Sequence, residues 1–155
     1  MAHGLREELK QTRPFPRRSA EAAVSVMRTA AILEHELNEV LKPSGITVTQ
    51  YNVLRILRGA GEKGLCGREV GERLVSAVPD VSRLLERMED VGLISRERDA
   101  TDRRHVTARI TEAGRRLLDA VTPGLEAVER ARFGRLSESA LQAMITSLAH
   151  VRENA

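Results

Sequence analysis

Two segments of alternating apolar and polar residues, on either side of a charged connection, constrain the fold of this chain most. "LISRER" at 93–98 and "HVTARI" at 105–110 alternate apolar and polar residues, which is typical of half-buried strands. Between them lies "DATDRR" at 99–104, which contains no apolar residue larger than Ala100. A charge run of this kind is usually a solvated surface turn. Its place between two strands predicts the tip of a β-hairpin.

The segment before the hairpin predicts two helices separated by a tight break. "GREVGERL" at 67–74 is a short helix, and "VSAVP" at 75–79 follows it as a break. The next helix, about 79–91, is the clearest amphipathic helix in the chain, with Pro79 in its first turn and Gly92 at its C-terminal end. Its predicted buried face consists of Val81, Leu84, Leu85, Met88 and Val91. A short helix, a break, a second helix and a hairpin together predict a winged helix-turn-helix over residues 47–111.

Longer helices flank this lobe. Ser19 is a plausible N-cap for a helix to about Leu41, whose apolar residues at spacings of three and four form one seam that needs a partner along its length. "TVTQ" at 47–50 has the form of a capping box. Thr111 and Ser137 are expected to cap the last two helices, and Pro123 with Gly124 is expected to kink or interrupt the first of these. The predicted fold class is mainly α with a small β-hairpin wing.

Length and composition narrow the class of protein further. At 155 residues the chain is expected to form one domain, preceded by an extension over residues 1–18 that carries the whole net charge of +3. That extension is compatible with an arm that contacts phosphates and equally with an unstructured leader. Tyr51, Phe15 and Phe133 are the only aromatic residues, which argues against modules that stack single-stranded bases. The single cysteine and the absence of a signal sequence or long apolar run predict a cytoplasmic protein without membrane contact.

The stretch "RLVSAVPDVSRLLERMEDVGLISRERDATDRRHVTARITEAG", residues 73–114, resembles the core signature of the MarR family of bacterial transcription regulators. The "DxRR" tip and the "ITEAG" continuation are its most specific parts, and a looser agreement extends over residues 19–150. The resemblance implies a homodimer that binds double-stranded DNA, is not an enzyme and needs no cofactor. It also implies that residues 19–42 and 112–150 form the dimerisation helices.

The resemblance assigns site residues to this chain in two groups. In the presumed recognition helix they are Val78, Pro79, Asp80, Ser82, Arg83 and Arg87. In the wing they are Arg98, Asp102, Arg103 and Arg104, where the aspartate orients an arginine toward the minor groove. Local net charge alone does not indicate DNA binding, since residues 79–109 hold seven basic and seven acidic side chains. Any positive surface must come from how these side chains are arranged in space.

One of these positions has two interpretations. Many members of the family have Ser-Thr where this chain has Pro79-Asp80. Asp80 could accept a hydrogen bond from a cytosine amino group, or it could simply stabilise the first turn of its helix through the macrodipole.

A ligand is also implied by the resemblance, as a small lipophilic or phenolic inducer between the dimer helices and the DNA-binding lobe, and the regulator is expected to be a repressor. Two alternatives start from other residues. Cys66 could respond to oxidants, although its sequence neighbours give little support for reactivity. His35 and Glu39 in "HELNE" are one helical turn apart and could bind a metal, although the second histidine of a zincin motif is missing.

Overall fold

Helices surround a small sheet in the computed structural model, which describes residues 4–102 and 104–153. The helices of this part of the chain are α1 (Leu5–Glu8), α2 (Arg18–Leu41), α3 (Val48–Ala60), α4 (Gly67–Arg73), α5 (Val81–Asp90), α6 (Glu112–Phe133) and α7 (Glu138–Glu153). Single 3-10 turns, Lys42–Ser44 and Gly61–Lys63, follow α2 and α3. The strands are β1 (Leu65–Cys66), β2 (Ile94–Arg98) and β3 (Val106–Ile110).

The predicted hairpin is confirmed. β2 and β3 pair antiparallel, from Ile94 opposite Ile110 to Arg98 opposite Val106. β1 adds a third strand on the other side of β3, with Leu65 opposite Ala108. The sequence did not predict β1, because two residues are too short for an alternating pattern.

Three of the four predicted helix caps are confirmed. Thr47 and Gln50 form a complete capping box at α3, where the Thr47 hydroxyl accepts from the Gln50 N–H at 3.2 Å and the Gln50 side chain accepts from the Thr47 N–H at 3.0 Å. The hydroxyls of Thr111 and Ser137 accept from backbone N–H groups at the starts of α6 and α7. The fourth prediction is wrong: α2 begins at Arg18, so Ser19 lies inside its first turn and no side chain caps this helix.

The start of the amphipathic helix differs from the prediction. α5 begins at Val81, so Val78 and Pro79 precede it and Asp80 is its N-cap. The Asp80 carboxylate accepts from the backbone N–H of Arg83 at 2.9 Å, which satisfies one of the N–H groups left over at a helix start. Val91 is also not part of the buried face, since it is 66% exposed just past the end of the helix.

The expected interruption at Pro123 and Gly124 does not occur, and α6 runs through both residues. Proline removes one backbone hydrogen bond from a helix. The neighbouring turns of α6 are held by packing, because Leu118, Val121 and Leu125 are buried in the core. Tertiary contact therefore outweighs the local preference of proline.

The core lies between the sheet, α3, α5 and the adjoining parts of α2 and α6. Its largest fully buried side chains are Leu41, Leu54, Leu57, Met88, Ile94, Leu118, Val53 and Val70. In contrast, the only buried residue of α2 is Leu41 at its last position, and α7 contains none. Among the described residues, no helix is long and apolar enough to cross a membrane. The lobe is therefore packed within one chain, whereas the long helices expose apolar surface.

Candidate nucleic-acid interface

A cleft of about 710 Å³ lies between the start of α5, the first turn of α4 and the wing. Its charged and hydroxyl-bearing walls come from Arg68, Asp80, Ser82, Glu86, Arg96, Arg98, Arg104 and His105. The lobe thus brings five of the residues predicted from sequence around one concavity: Pro79, Asp80, Ser82, Arg98 and Arg104. Val78 does not line it.

The wing tip is a compact turn organised by Asp99. Its Oδ1 accepts from the hydroxyl and the backbone N–H of Thr101, at 2.6 and 2.7 Å, and from the backbone N–H of Asp102 at 3.1 Å. These bonds, with that of the Thr101 hydroxyl first, lower the pKa of Asp99 from 3.8 to about 2. The backbone N–H of Asp99 donates to the carbonyl of His105 at 2.9 Å and closes the turn. The tip is held in shape by its own acidic residues.

Asp102 contributes to the same turn. Its Oδ1 accepts from the backbone N–H of Arg104 at 3.0 Å, and its carbonyl accepts from the N–H of His105 at 2.9 Å. The aspartate therefore fixes the backbone from which the Arg104 side chain projects. Arg103, the remaining predicted wing residue, lies outside the described residues.

Arg96 is occupied by contacts inside the lobe. Its Nε donates to Glu89 Oε2 at 2.8 Å, and its guanidinium lies 3.6 Å from Glu86. The Glu89 carboxylate also accepts from the Arg96 backbone N–H at 3.0 Å, and the bonds with Arg96 hold the pKa of Glu89 below its ordinary value. These contacts attach β2 to α5 and neutralise two acids beside the cleft.

The other acids of this region are largely engaged as well. Glu97 pairs with Arg109 at 2.9 Å on the opposite face of the hairpin, Asp80 caps α5, and Asp99 and Asp102 hold the wing tip. By contrast, four exposed arginines of α5 and the wing, Arg83, Arg87, Arg98 and Arg104, make no salt bridge with any described residue. Although basic and acidic residues are equal in number here, most acids are therefore engaged internally and these four guanidinium groups are not.

Arg83 and Arg87 are placed differently from the wing arginines. They lie one turn apart on an exposed face of α5 and do not line the cleft, whereas Ser82 and Glu86 do. The helix and the wing therefore present separate groups of cations on either side of the cleft.

Sequence reasoning missed Arg68 and His105. Arg68 is exposed in the first turn of α4 and makes only a loose pair with Glu72, at 3.8 Å. The one sequence feature that could have identified Arg68 is its position, as a basic residue near the start of the first helix of a helix-turn-helix. His105 follows the charged tip and was assigned to the strand, but β3 begins at Val106.

The structure gives little support to Cys66 as a redox site or to His35 and Glu39 as a metal site. Cys66 is half-buried, and its backbone N–H donates to Glu69 at 2.9 Å at the start of α4. It is the only cysteine in the chain. His35 and Glu39 line a shallow groove on α2 and α6. Within the described residues, no three His, Cys, Asp or Glu side chains are grouped so that they could hold a metal.

A second cavity, of about 320 Å³, lies where α2, α3 and α6 meet the break between α4 and α5. Leu33, Leu37, Leu41 and Leu125 supply much of its apolar wall. Two asparagines connect its sides. Asn38 of α2 accepts from the Val48 N–H at 3.0 Å, and Asn52 of α3 accepts from the N–H of Val75 at 2.9 Å. The cavity therefore touches both the long helices and the segment that leads into α5.

Comparison with known sequences shows that this chain is similar to transcription regulators. The model of the MarR family matches residues 44–105, which include α3, α4, α5, β2 and the wing tip up to the start of β3. The transcriptional regulator HosA of Escherichia coli O157:H7 is 35% identical over 104 residues, which are 67% of this chain and 71% of that protein.

Solved structures agree with the fold. S. aureus MepR in complex with DNA superposes with a TM-score of 0.78 at 25% identity, covering 86% of this chain and 97% of that one. CouR from Rhodococcus jostii RHA1, bound to p-coumaroyl-CoA, gives 0.72 at 26% identity over 88% of this chain and 95% of that one. The first of these neighbours holds DNA and the second a small molecule.

Proposed function

Because the chain belongs to the MarR family of transcription regulators, and is therefore not an enzyme, we propose that it acts as a homodimer on a pseudo-palindromic DNA operator. The observation that carries this proposal is the separation of charge around the cleft. Arg83, Arg87, Arg98 and Arg104 are exposed and unpaired within the described part of the chain, while most acids beside them are engaged internally. Exposed guanidinium groups that are not paired within the protein can bind phosphates and guanine edges.

In this proposal α5 enters the major groove and the wing reaches the adjacent minor groove. Ser82 and Arg83, near the N-terminal end of α5, read base edges, because residues at that end of a recognition helix lie closest to them. Arg87, one turn further along, contacts the backbone. Arg104 enters the minor groove, where narrow A·T-rich stretches attract arginine. Arg98, further back on β2, reaches a phosphate, and Arg103 adds to the charge of the tip.

Asp80 receives a structural role in this proposal. Its Oδ1 already accepts from the backbone of Arg83, so it positions the recognition helix and the arginine that follows. The macrodipole interpretation of Asp80 therefore gains support over a direct contact with cytosine.

The long helices support a dimer. Val26 and Met27 of α2 are 48% and 71% exposed, and Ile145 and Val151 of α7 are 56% and 71% exposed. The C-terminal part of the α2 seam packs on the core through Leu37 and Val40, whereas these large apolar side chains remain exposed. A second copy that covers them would place two recognition helices about one turn of DNA apart.

The second cavity supports a response to a small lipophilic ligand. Its volume is near the lower end of that of drug-sized sites. Val75 and Ser76, which line it, lie only a few residues before α5. A ligand that displaced Val75 from Asn52 would move the approach to the recognition helix. Binding would then favour a spacing of the two helices that fits the operator poorly, as expected for a repressor released by its inducer.

Selection from random-sequence duplexes tests the DNA proposal. We expect the purified protein to enrich a pseudo-palindrome whose half-site centres lie about 10 base pairs apart, with footprints over both halves. Recovery of no common sequence, or of a single unrepeated half-site, would refute the proposed mode of binding.

A further inference from the structure

The charge of the second cavity indicates which chemical class of ligand it takes. Its only charged lining residues in the described chain are two carboxylates, Glu34 on α2 and Glu129 on α6. No lysine, arginine or histidine of this part of the protein lines it. The remaining polar walls are neutral and come from Thr49, Tyr51, Asn52 and Ser76.

Neither carboxylate is neutralised by a close cation. Among the described residues, Glu34 and Glu129 make no salt bridge within 4.0 Å, although other acids of α2 and α6 do. Glu36 pairs with Arg132, and Glu126 with Arg130. Glu129 interacts with Arg55 only at longer range, and the Arg55 guanidinium is held by the Tyr51 hydroxyl at 3.0 Å. Two exposed carboxylates without a close cation therefore lie beside an apolar cavity.

We propose, building on the ligand-responsive function above, that this cavity takes a lipophilic cation such as a protonated aromatic amine. Burial of an aromatic body against Leu33, Leu37 and Leu125 supplies affinity that does not depend on charge. The carboxylates add attraction for an ammonium group and repel a carboxylate. Both residues are exposed, so each contributes modestly, about 5-fold in the ratio of amine to carboxylate affinity.

The test uses one aromatic frame with three charges: 1-naphthylmethylamine, which is cationic at neutral pH, 1-naphthalenemethanol and 1-naphthoate. Each is titrated into the full-length protein without DNA, and naphthalene fluorescence reports binding against a weak protein background, because the chain has one tyrosine and no tryptophan. We expect the amine to bind most tightly and the naphthoate most weakly, with at least a 10-fold difference between them. Equal or tighter binding of naphthoate, or no binding of any probe, would overturn the proposal.

Variants of the two carboxylates test whether they cause the preference for a cation. Glu34→Gln and Glu129→Gln should each lower the ratio of amine to naphthoate affinity about 5-fold and leave the alcohol unchanged. Glu126→Gln is the matched control, because it removes a carboxylate from α6 that does not line the cavity. A ratio that is unchanged in both cavity variants, with the thermal unfolding midpoint preserved, would refute the role of these carboxylates. DNA binding is measured separately on the wild type, so that its failure is distinguishable from failure of the charge preference.

Discussion

Arg96 and Arg98 differ in their partners although they lie two residues apart on the same face of β2. Successive residues on one face of a strand are about 7 Å apart. At Arg96 this places the guanidinium against Glu89 and Glu86 of α5, whereas Arg98 makes no salt bridge with either. Two neighbouring arginines on one face of the strand therefore differ: Arg96 attaches β2 to α5, and Arg98 is exposed without a salt bridge to a described residue.

Alanine substitutions should separate these two roles. Arg96→Ala leaves Glu89 without its partner and is expected to lower the free energy of unfolding by about 1–2 kcal/mol in urea. Arg98→Ala should change it by less than about 0.5 kcal/mol and weaken operator binding in a fluorescence anisotropy titration. The reverse assignment, with Arg98 carrying the stability, would contradict the structure.

The carboxylate of Asp99 should titrate well below the usual range. Its folded pKa is about 2, against an ordinary 3.8, because the charged form accepts the Thr101 and Asp102 hydrogen bonds. A depressed pKa means that the stabilisation of the wing is fully present above about pH 4 and is lost as the pH falls toward 2. Carboxyl carbon NMR should show a midpoint near 2, which rises toward 3.8 in Thr101→Val. A midpoint near 3.8 in the wild type would show that the turn is not held as described.

At the level of elements, the "ITEAG" segment is explained by the junction of α6 with β2. The Thr111 hydroxyl donates to the carbonyl of Gly92 at 2.6 Å while it caps α6. A Cβ added at Gly114 would lie 2.2 Å from the carbonyl oxygen of Leu93, so only glycine allows this approach. The motif therefore fixes the base of the wing against the first turn of α6.

Two glycine substitutions test this junction. Gly114→Ala should lower the free energy of unfolding by about 2 kcal/mol or more, because the clash is with backbone. Gly59→Ala, in α3 with nothing within 4 Å of its added Cβ, should stabilise the protein by about 0.5–1 kcal/mol. Thermal unfolding of both variants decides the matter, and equal effects at the two positions would show that the junction is not tightly packed.

The helices and strands that the sequence predicted correctly are those that depend on residues close to one another in the chain. The caps at Thr47 and Thr111 and the hairpin were predictable, because each rests on side-chain pattern within a few residues. The start of α5 was not, since Pro79 and Asp80 both favour a helix start and only the hydrogen bond to Arg83 decides between them. Continuation through Pro123, the two-residue β1 and the pairing of Arg96 depend on contacts with distant elements, which one sequence does not display.

At the scale of the molecule, one core joins the lobe to the adjoining parts of α2 and α6, while the N-terminal part of α2 and the helix α7 expose large apolar side chains. α7 contains no buried residue, although Leu141, Met144, Ile145 and Leu148 repeat at helical spacing. Such a helix gains little stability from its own chain, because most helical stability comes from packing an apolar face. A second copy of the chain, as proposed above, would supply the packing that α7 lacks.

Sedimentation should detect that dimer directly. We expect the wild type to be dimeric at micromolar concentration, and Val26→Glu with Ile145→Glu to shift it to monomer. Val91→Glu is the control, because Val91 is equally apolar and 66% exposed but lies beside α5. A monomeric wild type, or dissociation caused by Val91→Glu, would contradict the assignment of the interface.

The central claim is that the unpaired arginines of the lobe bind DNA, and a matched pair of double variants tests it most directly. Arg83→Ala with Arg104→Ala removes two unpaired charges, whereas Arg116→Ala with Arg130→Ala removes two that pair with Glu112 and Glu126 on α6. In anisotropy titrations with the selected operator, the account predicts that the first variant loses about 100-fold or more in affinity and shows a shallower dependence on salt. The second should stay within about 3-fold of the wild type. Equal losses in the two variants would show that net charge, rather than these arginines, determines binding.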